Sequence, residues 1–501
     1  MWIGYSYIRF GTHLPSDLER TNVARFEREK TAIILLTTDT NSTIARGPVI
    51  GLFSLVCLIV GNMIGVGVYV GGYYSLLSLK DVRLVLLVWL FGGLHAICGA
   101  IAYGAIANRL PVSGGEYTYL TRCVHPAIGF VAGWISIIAG FTAPIAAAAL
   151  LLGTYLGGAD SSATATKWMA TASIVFVAFL HACHLKVGAF FNNAVIAVKL
   201  ICFAVFLFLG LPFVLQGTNT GLLIEAGSST NESPLLGVRL WEPATLVQMV
   251  VSLFYVSLAY TGFNASIYLA GEIDGPTMHR AGGRKLVSRS MLIASVLVVA
   301  LYLLLNYVFL YGMSPEQIAQ AGESYVAEVA RNIGGNWLAM LVQTAIVLSA
   351  ATSILAMMAI GPMVYAQMAD DGRLWRLFRI SDQVPRTAIV VQGLLSIVVV
   401  WISQIQDIVK YLGLTLTACG ALAVSSVWIA HKFMAEKSPI KWYEHAAASI
   451  YVSVAVVLLL IAGSLDRERN QFYLCVSTFA LGLLIYGFVN LRSNQKRPDP
   501  R

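Results

Sequence analysis

The sequence predicts an all-α polytopic membrane protein with about twelve transmembrane helices. Of its 501 residues, 57% are hydrophobic and only 12% are charged, against about 25% charged in an average soluble chain. Mean hydropathy is +0.74. The apolar residues run in long continuous stretches rather than short alternating ones, which excludes a transmembrane barrel. Together these figures also exclude soluble, disordered and fibrous classes.

A membrane-crossing helix needs about 20 mostly apolar residues. Twelve runs meet that need: 48–76, 84–108, 124–156, 167–185, 189–216, 244–270, 287–312, 335–366, 386–403, 407–431, 445–464 and 470–491. They are called spans 1 to 12. Basic residues orient them. With both ends cytoplasmic, 24 of the 33 Lys and Arg lie inside, among them Arg9, Arg28, Arg109, Lys285, Arg289, Arg379 and Lys441. Eight lie outside, including Lys80, Arg83, Lys167 and Lys410, and Lys199 remains within span 5. A multi-pass protein of the plasma (cell inner) membrane is expected. The net charge of +8 is scattered in short runs between spans, so nucleic acid is not an expected partner.

The expected organisation is a flexible cytoplasmic tail at 1–47, a first five-helix unit at 48–216 and an extracellular loop at 217–243. A second five-helix unit at 244–431, helices 11 and 12 at 432–492 and a cytoplasmic tail at 493–501 complete it. The first tail has one short apolar patch, Ala32 to Leu36, too short for a signal-peptide core. The 217–243 loop carries an Asn231-Glu232-Ser233 glycosylation sequon. Glu316, Glu323 and Glu328 alternate with apolar residues between spans 7 and 8, suggesting a short amphipathic external helix. The seven cysteines lie in or beside apolar runs; an odd number placed there suggests buried thiols rather than a disulfide framework.

Two spans are interrupted. Span 1 holds Gly61-Asn62-Met63-Ile64-Gly65-Val66-Gly67 near its middle, and span 6 holds Ala259-Tyr260-Thr261-Gly262-Phe263-Asn264. Each glycine costs a helix roughly 1 kcal/mol relative to alanine. Small residues also permit close helix packing. However, breaks at matching positions in two five-helix halves point to an inverted-repeat transporter site. An unwound turn exposes backbone N–H and C=O groups, tolerable only where they line a cavity or meet a ligand. The half-helix starting near Gly67 directs its positive end inward, suited to a carboxylate. The half-helix ending near Tyr260 offers free carbonyls, suited to an ammonium. The pair matches the two ends of an amino acid.

Four motifs in order resemble the amino acid–polyamine–organocation (APC) permeases. They are Gly61 to Tyr69 in span 1; Leu110-Pro111-Val112-Ser113-Gly114-Gly115-Glu116-Tyr117-Thr118-Tyr119 before span 3; Tyr260 to Asn264 with Ala270 to Pro276; and Gly361-Pro362 with Gln367 to Gly372 in span 8. The resemblance covers about residues 48–430. It implies a LeuT-like fold, a 5+5 inverted repeat plus two C-terminal helices, and alternating-access transport of amino acids or related amines. The chain departs from the pattern at Ala105, where the family usually has glutamate, and at Met363, where it usually has arginine.

Lys199 lies about ten residues into span 5, or ~15 Å along the axis. A charge that deep costs ~3 kcal/mol or more, and snorkelling to the surface is difficult. The resemblance implies that its ammonium replaces a sodium ion, bridging span 5 to the break in span 1 and to Ser349, Thr352 or Ser353 of span 8. Family position favours Thr352 and Ser353; back-bonding to their own helix is the plainer alternative. A lysine in that place can carry a coupling proton or act as a fixed charge for exchange.

The predicted spans hold no central Asp or Glu to pair a cationic side chain, so a neutral amino acid is expected. Candidate substrate-binding residues are Ile64, Gly65, Val66, Gly67, Leu258, Ala259, Tyr260, Gly262, Phe263, Asn264 and Gly140. Ile137, Phe141 and Pro144 are possible further walls. The resemblance places an outer-gate or side-chain-pocket residue at Leu258. His95 reads as a core histidine rather than a relay. No nucleophile constellation, metal site, P-loop or ring of filter residues argues for an enzyme, an ATP-driven pump or a channel. No cofactor is expected. The reading is sodium-independent transport by alternating access, proton-coupled or by exchange. The alternatives are a transporter-like amino-acid sensor, or a permease for polyamines or cationic amino acids.

Overall fold

The computed structural model describes residues 51–110, 115–158, 161–183, 189–216, 242–269, 281–379, 385–430 and 439–495. Several sequence features lie outside the described residues: the N-terminal tail, the 111–114 part of the second motif, the sequon, and the 270–276 motif.

Every expected span contains a helix. Span 1 is a pair, Leu52–Met63 (1a) and Gly67–Leu79 (1b), bent by 44°. Span 2 is Val82–Arg109, span 3 Pro126–Gly157, span 4 Ala163–Ala182 and span 5 Ala189–Leu215. Span 6 opens with Pro243–Ala259 (6a), and span 7 is Ala281–Tyr311. Span 8 is the long part of Tyr325–Asp370, and span 9 is Arg386–Ile402. Spans 10, 11 and 12 are Ile405–Ser425, Trp442–Ser464 and Arg469–Gln495. Among the described residues, nine helices are long and apolar enough to cross a membrane, ten with the bent pair. Span 6a and span 9 are shorter, at 17 residues each.

Local chemistry sets the helix starts. Asp81 caps span 2 by accepting from the Arg83 N–H at 2.8 Å. Ser162 caps span 4 through the Ala165 N–H at 3.2 Å. His125 caps span 3 through the Ala127 N–H at 3.1 Å, with Pro126 at the first helical position.

Span 3 is the central post. Its most apolar stretch is 89% buried, against 11% for span 12. Its Ala143–Gly157 half carries the Ala146 to Ala149 run, whose small side chains let neighbours close in on every side. Span 3 also contains a π-helical segment, Ser136–Thr142. Pro144 has no N–H to give the Gly140 carbonyl, so the regular ladder cannot pass this point, and a wider turn absorbs the slip.

Three ties, two of them buried, join the ends of the bundle. Taking the end richer in basic residues as inner, Arg109 closes the inner end of span 2. It pairs with Glu444 of span 11 at 2.7 Å and donates to the Ala105 and Pro439 carbonyls, each at 2.9 Å. Tyr117 donates to Asp371 at 2.5 Å. At the outer end, Lys410 pairs with Glu468 at 2.7 Å, and both are buried. Lys410, counted among the outer basic residues, is buried at that end: the first turns of span 10 are packed against span 12, and Glu468 neutralises the charge. Cys183 is exposed on the bundle surface and departs from the expected buried thiols, as do half-buried Cys57, Cys98 and Cys202.

Candidate functional site

The break in span 1 begins where Ile64 leaves the helical region, at φ −75° and ψ 84°. Val66 is helical again and starts 1b. The break frees carbonyls at the negative end of 1a. The Met63 carbonyl accepts from the Tyr302 hydroxyl of span 7 at 2.7 Å and from the Gly65 N–H at 2.9 Å. The Ile64 carbonyl accepts from the Lys199 ammonium at 2.8 Å. Ser349 completes the group: Lys199 donates to its Oγ at 3.4 Å, and that hydroxyl lies 3.4 Å from the Ile64 carbonyl. Lys199 is 2% exposed. One ammonium thus joins spans 1, 5 and 8 at the break, and no described carboxylate forms an ion pair with it.

Span 6 breaks at the same depth. Tyr260 sits at φ −90° and ψ 0°, and Gly262 at φ +94°, a conformation L side chains rarely adopt. A 3₁₀ turn, Ala265–Leu269, follows. The freed Leu258 carbonyl is met by the Thr261 hydroxyl at 2.7 Å.

The two breaks touch. Asn62 Nδ2 donates to the Gly262 carbonyl at 3.4 Å. A Cβ on Gly67 would stand 2.5 Å from Ala259 Cα, so only glycine lets the start of 1b lie against the end of 6a. A Cβ on Gly65 would lie 3.9 Å from Ser353 Oγ, which places that hydroxyl across an open gap from the break. The positive end of one half-helix and the negative end of the other therefore share one place. That polarity is complementary to a small zwitterion.

Other expected residues point elsewhere. Tyr260 is buried and donates to the Trp89 carbonyl of span 2 at 3.0 Å. Its ring packs on Trp89 and Tyr302, 5.7 and 5.2 Å away. Phe263 lies edge-on to Tyr103 at 5.6 Å. Asn264 donates to Glu116 Oε1 at 2.9 Å, and the Tyr103 hydroxyl reaches the same oxygen at 2.7 Å. Phe263 and Asn264 thus turn to the inner side of the break, and Tyr260 packs between spans 2 and 7 beside it, rather than all three facing one gap. Leu258 and Gly140 stay half-buried. Gly140 sits in the π segment, where a Cβ would meet only Ser136, at 3.6 Å. Ile137 is buried in a cluster with Phe130, Tyr365 and Met368.

On span 8 the hydroxyl beside Lys199 is that of Ser349. Thr352 donates back to the Leu348 and Ser349 carbonyls, at 2.9 and 3.0 Å. His95 stacks on Tyr451 at 4.1 Å, with Nε2 3.3 Å from the Tyr451 carbonyl, as expected of a core histidine.

Sequence reasoning did not find Tyr302, Asn62 or Glu116. Glu116 was quoted only as part of a motif, although a charged residue beside a glycine pair at a span entrance was a usable signal. Asn62 likewise stood only inside the span 1 motif, and Tyr302 carried no signal.

An amino acid permease family model matches residues 50–491. The chain belongs to the amino acid permease family. It is similar to the mouse (Mus musculus) b(0,+)-type amino acid transporter 1, at 23% identity over 87% of each chain. It is also similar to the serine/threonine exchanger SteT of Bacillus subtilis (strain 168), at 26% identity over 60% of this chain and 63% of that one. The mouse Asc-type amino acid transporter 1 is 23% identical over 54% of this chain and 48% of its own. These relatives of the permease are transporters rather than enzymes, and the permease is a multi-pass membrane protein.

Proposed function

We propose that this permease carries neutral amino acids across the plasma membrane by alternating access, without sodium, by proton symport or by exchange. The carrying observation is the Lys199 ammonium held 2.8 Å from the Ile64 carbonyl at the span 1 break. A fixed or exchangeable positive charge there supplies what a bound cation would: it neutralises the negative end of 1a and ties that half-helix to spans 5 and 8.

The substrate backbone binds at the paired breaks. The N–H groups of Val66 and Gly67 take the carboxylate and the Ala259 carbonyl takes the ammonium, while Ile64, Gly65 and Leu258, whose backbone groups are already paired, shape the site around them. In an α-amino acid one carbon separates the two charged groups, and the contact of Gly67 with Ala259 sets the two half-helix ends at that scale. Leu258, Gly262 and Gly140 border the side chain, and Ser353 faces the break. The residues that bind, couple and close are then shared between two repeats, 48–216 and 244–431, with both termini cytoplasmic.

Uptake of a labelled amino-acid panel into proteoliposomes in sodium-free buffer tests this reading. The panel is run with and without an inward proton gradient, and with and without internal amino acid. Uptake raised by the gradient supports symport, and uptake raised by internal substrate supports exchange. Uptake confined to cationic members overturns the neutral assignment. Saturable binding without translocation, by folded protein, overturns transport in favour of a sensor.

A further inference from the structure

The segment between spans 7 and 8 is built as a lid. Ser314 and Gln317 form a capping box that starts Pro315–Ala321. Gly322, at φ +63°, turns the chain into a 3₁₀ turn, Gly322–Ser324. A second helix begins at Tyr325 and is broken from span 8 at Gly335, at φ 74° and ψ −165°. The expectation of one amphipathic helix here becomes two helices with Glu323 at the corner between them.

That corner is fastened to two spans. The Tyr74 hydroxyl of 1b donates to Glu323 Oε1. The Tyr155 hydroxyl, at the outer end of span 3, donates to the Glu323 carbonyl at 3.2 Å. Tyr155 is itself held by Gln343 of span 8, which donates to its carbonyl at 2.8 Å.

Aromatic rings extend the contact. Tyr73 of 1b stacks on Tyr325 of the lid at 6.1 Å, and Tyr74 stacks on Tyr255 of 6a at 5.2 Å. Tyr325 fits because residue 72 is glycine: a Cβ there would stand 2.7 Å from its hydroxyl. Span 10 holds the far side, with Gln406 donating to the Tyr255 hydroxyl at 2.8 Å and the Lys410 ammonium 5.4 Å from the Tyr255 ring. Tyr74 is seven residues beyond Gly67 on the same half-helix, so this tyrosine wall lies ~10 Å outward of the breaks.

We propose that Tyr74 and Glu323 are the latch of an outer gate that holds 1b, 6a and the lid together over the substrate site. The proposal rests on the transport reading. Opening the site outward must part 1b from the lid, and the Tyr74–Glu323 bond is the charged contact that opposes it. Glu323 is a positioning residue: it acts on 1b through Tyr74 and does not touch the substrate.

The test is the rate at which a membrane-impermeant maleimide added outside proteoliposomes labels a reporter, Leu258→Cys, beneath Tyr255. The chain without the reporter gives the background of the seven native cysteines. Tyr74→Phe removes the hydroxyl and keeps the ring stack. It is expected to raise labelling about tenfold, the scale of one hydrogen bond to a charged group. Glu323→Gln is expected to act in the same direction, and the double variant to exceed neither single by much, because both remove one bond. Tyr155→Phe, which frees the other anchor, is expected to raise labelling by a smaller factor.

Labelling unchanged in Tyr74→Phe and Glu323→Gln, in protein whose melting profile matches the parent, overturns the latch. So does a double variant equal to the product of the two singles. Labelling reports gate opening without requiring turnover. A reporter chain that labels as expected, while the native chain with Leu258 carries nothing, therefore defeats the transport reading alone.

Discussion

Lys199→Met is the most informative single substitution. Methionine keeps the length of the apolar stem and deletes the ammonium. The structure then loses the 2.8 Å bond to the Ile64 carbonyl and the 3.4 Å contact with Ser349. A hydrogen bond to a charged group contributes about 1.5–3 kcal/mol. Removing a desolvated charge returns several kcal/mol of burial cost, so the two effects oppose each other in folding. In the transport cycle they do not cancel, because the bond ties span 1 to span 5 only while the break is in this arrangement. The expected result is a melting temperature within a few degrees of the parent, with gradient-driven or exchange-driven uptake reduced about tenfold or more. Lys199→Ala, which also empties the stem's space, is expected to lose more stability, ~2–5 kcal/mol by analogy with other long-to-alanine changes, and as much coupling. The assay is paired uptake and thermal denaturation in the same preparation. Wild-type uptake with wild-type gradient dependence in Lys199→Met would refute the reasoning.

Other predictions follow from the same geometry. Gly262→Ala forces a Cβ to 2.5 Å from Asn62 Nδ2 at a φ of +94°, and is expected to cost about 1–3 kcal/mol and to abolish uptake; normal uptake would contradict it. Gly67→Ala meets backbone rather than a movable side chain, at 2.5 Å from Ala259 Cα, so uptake is expected to be lost even in protein that folds, measured by uptake beside a melting curve. Ser349→Ala is expected to impair coupling more than Thr352→Ala, because Thr352 spends its hydroxyl on its own helix; equal effects in paired uptake would reverse that assignment. Arg109→Ala leaves Glu444 buried without its partner, and a loss of about 3–5 kcal/mol is expected in denaturation, largely recovered in Arg109→Met with Glu444→Gln.

What the sequence revealed depended on range along the chain. A run of twenty apolar residues is a local property, and so is a cluster of glycines. The spans and both breaks were therefore legible before any contact was known. Lys199 was legible for the same reason, as a charge with no local means of reaching water. Its partners entered only through the family resemblance, as the span 1 break and Ser349, Thr352 or Ser353: Ile64 and Ser349 lie 135 and 150 residues away, and choosing Ser349 over Thr352 needed the rotation of span 8 about its axis. Tyr260, Phe263 and Asn264 read as shaping one region because they lie within five residues at one break. The turn at Gly262 sends them to spans 2, 7 and 11 and to Glu116 instead. Lys410 was readable only as an outer basic residue, and the packing of Glu468 against it is what reveals a neutralised charge. The π segment of span 3 was marked by Pro144 four residues after Gly140. That is a readable signal, since the missing N–H identifies the carbonyl left without its donor.

The contact between Gly67 and Ala259 has a consequence for energetics across the two faces of the membrane. With backbone against backbone there, 1b and 6a move together if, as proposed, the breaks seat the substrate. The two poles would then keep their separation whichever way the cavity faces, and the seat would hold an amino acid's backbone equally from either compartment. Any difference between inward and outward affinity must then arise at the closures, where Asn264 meets Glu116 on one side and Tyr74 meets Glu323 on the other. Direction, in this molecule, belongs to the doors and not to the seat.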